Sequence, residues 1–375
     1  MQLDECRKKI DVIDDKIRKL LEDRLDVSAE VAQFKAANDL PVYVPEREKE
    51  KLKALTADAG SRFDELALRE LFSQIMAISR KKQYQVLEAD NRITGSSFEE
   101  VESLFFDGMR ICYQGAEGSY SEEASASFFE DRGSLFHVDT FKDAMAAIEE
   151  GLADYAVLPL ENSTAGSIRE NYDLLSRFEN YIVGEKILNV RQCLMAKEGA
   201  DIDGIRTVYS HPQSLMQCER FLGGHPGWRQ VSMKNNAYAA AKVAADNDLS
   251  QAAIASARAA KLYGLHILQE EINHEKNNAT RFIIVSGRKI FVKGAGKISI
   301  MLEIPHTSGS LYGILSHFIY NGLNMTRIES RPIEDRAFEY CFFIDFEGSL
   351  NDASVRNALR GLRDDARSMK VLGNY

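Results

Sequence analysis

No stretch of this chain is apolar for long. Nothing in its 375 residues fills the roughly 20 positions that a membrane-spanning helix needs, so neither a span nor a membrane partner is expected. Cysteine is scarce: Cys6, Cys112, Cys193, Cys218 and Cys341 are scattered and odd in number. No two of them stand at metal-ligand spacing, and the usage fits a reduced cytosolic thiol pool. The seven histidines form no ligand cluster, so no metal is expected. Positive charge is in deficit. The net charge of −10 argues against a nucleic-acid partner. It also means that an anionic ligand must be drawn in by local cations rather than by the field of the whole protein. Fixed-period repeats and low-complexity tracts are absent. The N-terminus opens into a charged helical stretch, so no secretory leader is expected and the protein is read as cytoplasmic.

What the chain does have is a helical seam with a charge in it. Leu3, Cys6, Ile10, Ile13, Ile17, Leu20, Arg24, Val27, Val31 and Phe34 recur at steps of three and four, a heptad pattern in which Arg24 takes a seam position. Lys35 follows eleven residues later, which returns it to within about 20° of Arg24 on a helix. Two cations thus share a face where a core would take leucine. A buried cation is costly unless an anion meets it. One such residue reads plainly as a structural ion pair or a register-setting polar group; the pair reads as a pocket for a small dianion. A second helix is expected from near Pro45, because proline suits the first helical position. It carries Arg47 and Glu48. A third is expected from about Phe63 to about Glu88, with an apolar stripe of Leu68, Phe72, Ile75 and Val86 interrupted by Ser79 and Gln83 one turn apart.

The set Arg7, Arg24, Lys35, Arg47, Glu48, Ser79 and Gln83 on three helices resembles the all-helical chorismate mutase family over about the first 90 residues. The stretches that match are Cys6-Arg7-Lys8-Lys9-Ile10, Asp23-Arg24, Val31-Ala32-Gln33-Phe34-Lys35 and Pro45-Glu46-Arg47-Glu48. Val44 departs from the pattern, standing where the family often has an acidic residue, so Glu48 is expected to hold the substrate hydroxyl without that help. The resemblance implies a concerted rearrangement of chorismate to prephenate that needs no nucleophile, proton transfer or cofactor. Catalysis then means holding the compact conformer and stabilising charge on the breaking ether oxygen. By the same resemblance Arg7 and Arg24 hold the two carboxylates and Lys35 and Gln83 donate to the ether oxygen. Glu48 takes the ring hydroxyl, with Arg47 and Ser79 in support. It further implies an intertwined dimer in which Arg7 reaches the partner's site.

After an expected linker at 91–107, short apolar strands alternate with helices, the mark of an α/β domain. Small polar residues cluster where strands end, the place where open α/β sheets bind ligands. These are Gly115-Ala116-Glu117-Gly118-Ser119-Tyr120-Ser121, Glu161-Asn162-Ser163-Thr164, Ser210-His211-Pro212-Gln213, Ala255-Ser256, and Asn278-Ala279-Thr280-Arg281-Phe282. Any one is a turn with a helix cap. Five together suggest a convergent site for a polar anion. In this order the motifs resemble the prephenate dehydratase family, from about Met109 to Ser286. The resemblance implies a two-lobed domain of periplasmic-binding-protein type that converts prephenate to phenylpyruvate with loss of CO₂ and water. Thr280 is the implied donor to the departing hydroxide and Arg281 the implied carboxylate anchor. Ser119, Asn162, Ser163, Thr164 and Gln213 orient the substrate. His211 is either a second acid or a structural residue before Pro212.

From near Gly294-Ala295-Gly296 the order changes to strand, helix, two strands, helix, strand, a βαββαβ arrangement. Gly309-Ser310-Leu311-Tyr312 and Glu329-Ser330-Arg331-Pro332 resemble the ACT family of regulatory modules, which implies phenylalanine bound between subunits as an allosteric effector. The expected domains are therefore 1–90, 108–288 and 295–375: all-α, two-lobed α/β, and α+β. A homodimer or dimer of dimers is expected. Three other readings stand beside this one. In them the helical domain is a mutase-like dimerisation module, the whole chain is a phenylalanine-sensing binding protein, or the lyase substrate is arogenate, with an amine in place of the keto group.

Overall fold

The structure, a computed structural model, describes residues 3–38, 40–89, 97–333, 336 and 338–375. It divides into two compact units, Met1–Ser97 with Gly296–Val371, and Phe98–Ala295 with Leu372–Tyr375.

The first unit begins with three helices, α1 (Leu3–Ala37), α2 (Pro45–Thr56) and α3 (Arg62–Ala89). Pro45 opens α2, where its missing N–H and fixed φ do no harm. α1 packs on α3, and α3 packs on α2. At about 1.5 Å per residue, the 35 residues of α1 reach about 52 Å. Only Ser28 and Ala32 are buried on it. The apolar seam read from the sequence, Ile10, Ile13, Ile17, Leu20, Val27 and Phe34 among it, is exposed. A single copy of the chain leaves that face uncovered.

The C-terminal part of this unit has the expected βαββαβ order. Strand Lys297–Glu303 is followed by helix Ser310–Tyr320, strands Met325–Pro332 and Tyr340–Glu347, helix Ala353–Asp365 and strand Ser368–Asn374. In the sheet they lie second, third, first, fourth. Met325–Pro332 is an edge strand whose burial alternates along its length, as a strand with one covered face must. Helix Ala353–Asp365 also packs on α3.

The second unit has two main sheets, both flanked by apolar core, and one two-stranded sheet. In the first, the order is Tyr181–Asn189, Ala279–Ser286, Tyr155–Asn162, Arg110–Gln114, Ser134–Val138. In the second it is His266–Gln269, Cys193–Ala196, Gln251–Ala255, Thr207–Ser210, Arg229–Ser232. The last residues of the chain join this unit, where Gly373 pairs with Ile182.

One boundary departs from the expectation. Residues 91–96 of the expected linker lie outside the described residues, but its second half is built into the second unit. Glu99–Val101 pairs in parallel with Ile290–Val292, so the unit also extends past 288. Leu104 is buried, and its carbonyl accepts from Tyr155 Oη at 2.8 Å. The polar composition hid Val101, Leu104 and Phe105, which fall within five residues and all reach the core.

Candidate active sites

The first site is a cavity of about 340 Å³ among α1, α2 and α3. Arg24, Lys35, Arg47, Glu48, Ser79 and Gln83 all line it, so the polar interruptions on separate helices do converge. Val44 lines it too. Arg24 donates to Ser79 Oγ and to the Ile75 carbonyl at 3.3 Å. Lys35 Nζ donates to the Val42 carbonyl at 2.7 Å. The Oε1 atom of buried Gln83 has no partner. Burial lowers the pKa of Lys35; Glu48 opposes this and Arg47 adds to it. Burial likewise lowers that of Arg24, against the pull of Glu48. With Lys51 and Arg80 also in the wall, cations outnumber the single carboxylate of Glu48, as a dianion requires. Arg7 is not in this wall. It pairs with Asp4 on exposed helix surface. Arg80 was not legible as a site residue. It immediately follows Ser79 on the polar side of α3, and that adjacency was the signal available.

The second site is a cleft of about 420 Å³ in the second unit. Ser119, Asn162, His211, Gln213 and Thr280 line it. Asn162 Nδ2 donates to Thr280 Oγ1 at 2.9 Å and to Asn278 Oδ1 at 2.7 Å. With its lone pair engaged, the threonine hydroxyl keeps its proton for another acceptor. Four lining residues are N-caps: Ser119, His211, Asn235 and Ser256 open the helices Tyr120–Phe128, Pro212–Gln217, Asn236–Ala245 and Ala257–Tyr263. Capping and ligand binding are thus one feature here, because a capped helix start directs its free N–H groups and positive dipole end at whatever lies beyond it. The His211 Nδ1 atom accepts from the Gln213 N–H at 3.3 Å, and burial lowers the ring's pKa, so the neutral tautomer carries its proton on Nε2. Gln192, Ser214, Gln217, Lys234, Asn235 and Asn236 also line the cleft and were not foreseen. Their sequence context looks like ordinary helix and strand.

Three expected ligands take other positions. Arg281 alternates with Thr280 and Phe282 along one strand, and those two line the cleft while Arg281 does not. A strand sends successive side chains to opposite faces. The Arg281 guanidinium instead donates to Glu185 at 2.8 Å and to the Tyr375 hydroxyl at 2.6 Å. Ser163 and Thr164 are also missing from the wall. The Ser163 hydroxyl accepts from the Ala279 N–H at 3.0 Å, and the Thr164 hydroxyl donates to Asn162 Oδ1 at 2.7 Å. Their hydrogen bonds hold Asn162 and its strand. Lys234 is the cation that the cleft wall does contain.

The third site is a cavity of about 390 Å³ at the start of helix Ser310–Tyr320. Ser310, Leu311, His306, Thr307 and Tyr340 line it. Gly309 precedes the helix at φ +81°, a left-handed conformation that favours glycine. Glu329, Ser330 and Arg331 lie on the edge strand and do not line this cavity. Glu329 instead lies 3.5 Å from Arg327. Tyr312 is exposed and outside the cavity wall.

Known proteins carry the same parts in the same order. Residues 6–84 match the type II chorismate mutase family and residues 111–290 the prephenate dehydratase family. The bifunctional chorismate mutase/prephenate dehydratase of Escherichia coli (strain K12) is 33% identical over 376 residues, spanning 98% of this chain and 95% of that protein. Arogenate dehydratase/prephenate dehydratase 2, chloroplastic, of Arabidopsis thaliana is 39% identical over 279 residues, covering 71% of this chain and 72% of its own. The crystal structure of prephenate dehydratase from Arthrobacter aurescens in complex with L-Phe matches with a TM-score of 0.66 at 28% identity, covering 71% of this chain and 89% of that one. A helical isomerase joined to a two-lobed carbon–oxygen lyase defines a bifunctional enzyme of aromatic amino acid synthesis. The chain belongs to the bifunctional chorismate mutase/prephenate dehydratase family: it rearranges chorismate to prephenate and converts prephenate to phenylpyruvate.

Proposed function

We propose that the cavity among α1, α2 and α3 runs the rearrangement and that the cleft around Thr280 runs the elimination. In the first, Arg24 and the partner copy's equivalent of Arg7 hold the two carboxylates of chorismate. Lys35 and Gln83 donate to the ether oxygen as its bond breaks, and Glu48 accepts from the ring hydroxyl. The convergence of six expected residues on one cation-rich cavity carries this reading.

In the second, the Thr280 hydroxyl, held by Asn162, donates to the departing hydroxide as CO₂ leaves and the ring becomes aromatic. Neutral His211 orients the substrate through Nε2–H. Lys234 and the four helix N-termini neutralise the dianion in place of Arg281. A cleft whose cation is Lys234 favours the keto acid prephenate over arogenate, whose amine adds a positive charge. The C-terminal βαββαβ domain acts as an ACT module. Phenylalanine binds where the Gly309-Ser310-Leu311 turn of one copy meets Glu329-Ser330-Arg331 of another, and lowers dehydratase activity. The enzyme works as a homodimer or dimer of dimers in the cytoplasm.

Two variants given chorismate test the assignment. Lys35→Ala is expected to lose prephenate formation by about 100-fold, since one such donor contributes roughly 3 kcal/mol, while still consuming added prephenate. Thr280→Val is expected to accumulate prephenate and form little phenylpyruvate. Normal phenylpyruvate output from either variant overturns the residue assigned to that step.

A further inference from the structure

The carboxylate at the mutase site is held by a residue that the three-helix pattern does not include. Arg80 lies on α3, one position after Ser79. Its Nη1 atom is 2.6 Å and 2.5 Å from the two oxygens of Glu48. Its Nη2 atom is 3.3 Å from Asp365 Oδ1, on helix Ala353–Asp365 of the C-terminal domain. The guanidinium also lies over the Tyr43 ring, 4.6 Å from its centroid. The Arg80 side chain is 10% exposed, and those of Glu48 and Asp365 are 25% and 20% exposed. Asp365 is fixed in turn by His317 Nε2 at 2.8 Å, from the helix that follows the Gly309 turn. Beside this chain of contacts Lys81 donates to Ser316 Oγ at 2.8 Å, and Tyr84 donates to Asp364.

A carboxylate that must accept from one hydroxyl in one direction needs its other lone pairs committed elsewhere, or it rotates and samples its neighbours. Arg24 and Lys35 both attract Glu48 across the cavity, so an unrestrained Glu48 would swing towards them and spend the cations meant for substrate. Val44, the residue that precedes α2, offers the carboxylate no polar side chain. Arg80 supplies the restraint, because a guanidinium fixes direction as well as charge.

We propose that Arg80 is a positioning residue for chorismate turnover, aiming Glu48 into the cavity, and that Asp365 holds Arg80 in place, so that the mutase site depends on the C-terminal domain. This rests on the assignment of Glu48 as the group that accepts from the ring hydroxyl.

A double-mutant cycle in the full chain tests it, with kcat and KM for chorismate read separately and turnover of added prephenate as the check on folding. Glu48→Gln is expected to lose most chorismate turnover; if it does not, the Glu48 assignment fails, and the proposal with it. Arg80→Gln is expected to lower kcat/KM by about ten-fold or more, with Arg80→Lys recovering part of the loss. Asp365→Asn is expected to lower it in the same direction by a smaller factor, about three-fold. In the Glu48→Gln background, Arg80→Gln is expected to add almost nothing, because residues acting through one another are not additive. If the two losses multiply, or if Arg80→Gln turns over chorismate normally while Glu48→Gln does not, Arg80 does not act through Glu48. If Arg80→Gln fails to fold, Asp365→Asn and Arg80→Lys carry the same cycle. Wild-type kinetics in Asp365→Asn would remove the C-terminal domain from the mutase site.

Discussion

The exchange between Arg281 and Lys234 turns on a single step along a strand. Sequence favours Arg281, since arginine beside a hydroxyl-bearing threonine is a natural carboxylate fork. The pleat sends it to the face away from Thr280, where Glu185 and Tyr375 take its hydrogen bonds. Lys234 sits one residue before the Asn235 cap, in a turn with no chemical signature, yet it reaches the cleft wall. The two residues should therefore fail differently. Lys234→Ala is expected to raise KM for prephenate about ten-fold with kcat largely kept, as loss of an interaction made equally in ground and transition states does. Arg281→Gln is expected to lower stability by about 3 kcal/mol, the cost of breaking a largely buried ion pair, with a smaller change in KM. Steady-state kinetics and thermal unfolding of the two variants separate these effects. The opposite pattern would return the anchor role to Arg281.

At the scale of elements, α1 is the one that its own chain does not satisfy. Helical propensity and heptad spacing give it a length of about 52 Å, and burying one apolar stripe normally stabilises such a helix. Here the stripe is exposed while Arg24 and Lys35 face the cavity. In the proposed dimer a second copy would cover the stripe and supply the missing Arg7 position at once. Replacing Ile13 and Ile17 together with glutamate is expected to give a monomer by sedimentation. Chorismate turnover should fall at least 100-fold, because a site deprived of one carboxylate clamp loses its orienting contacts. Added prephenate should still be consumed, since the cleft around Thr280 lies in the other unit. A dimer that survives both substitutions, or a monomer with full mutase activity, rules out the shared site.

For the whole molecule the question is control. The residues flanking Gly309 line a cavity, and Glu329-Ser330-Arg331 lies on an edge strand outside it, an arrangement that fits the proposed site between two copies. Phenylalanine is expected to bind at micromolar to millimolar concentration and to shift the protein towards larger assemblies, because a ligand held between subunits stabilises their association. Calorimetry and sedimentation with and without phenylalanine check both. Thr280→Val should bind it unchanged, and Leu311→Ala and Glu329→Ala should each weaken it. An effect lost in Thr280→Val would place phenylalanine in the catalytic cleft instead. Most elements were legible: the three helices, the change to strands and the βαββαβ order follow from periodicity, capping and turn chemistry, which act over a few residues, and the same periodicity exposed Arg24, Lys35, Ser79 and Gln83 as polar interruptions. What the sequence could not reach depends on partners distant in the chain. The pleat that turns Arg281 away is visible only once its strand is paired. Lys234 joins the cleft only because two sheets face it. Arg80 meets Glu48 and Asp365 across separations of 32 and 285 residues. Local rules settle which residues form a helix or strand; only packing decides which side chains end up sharing one small volume with one charge to balance.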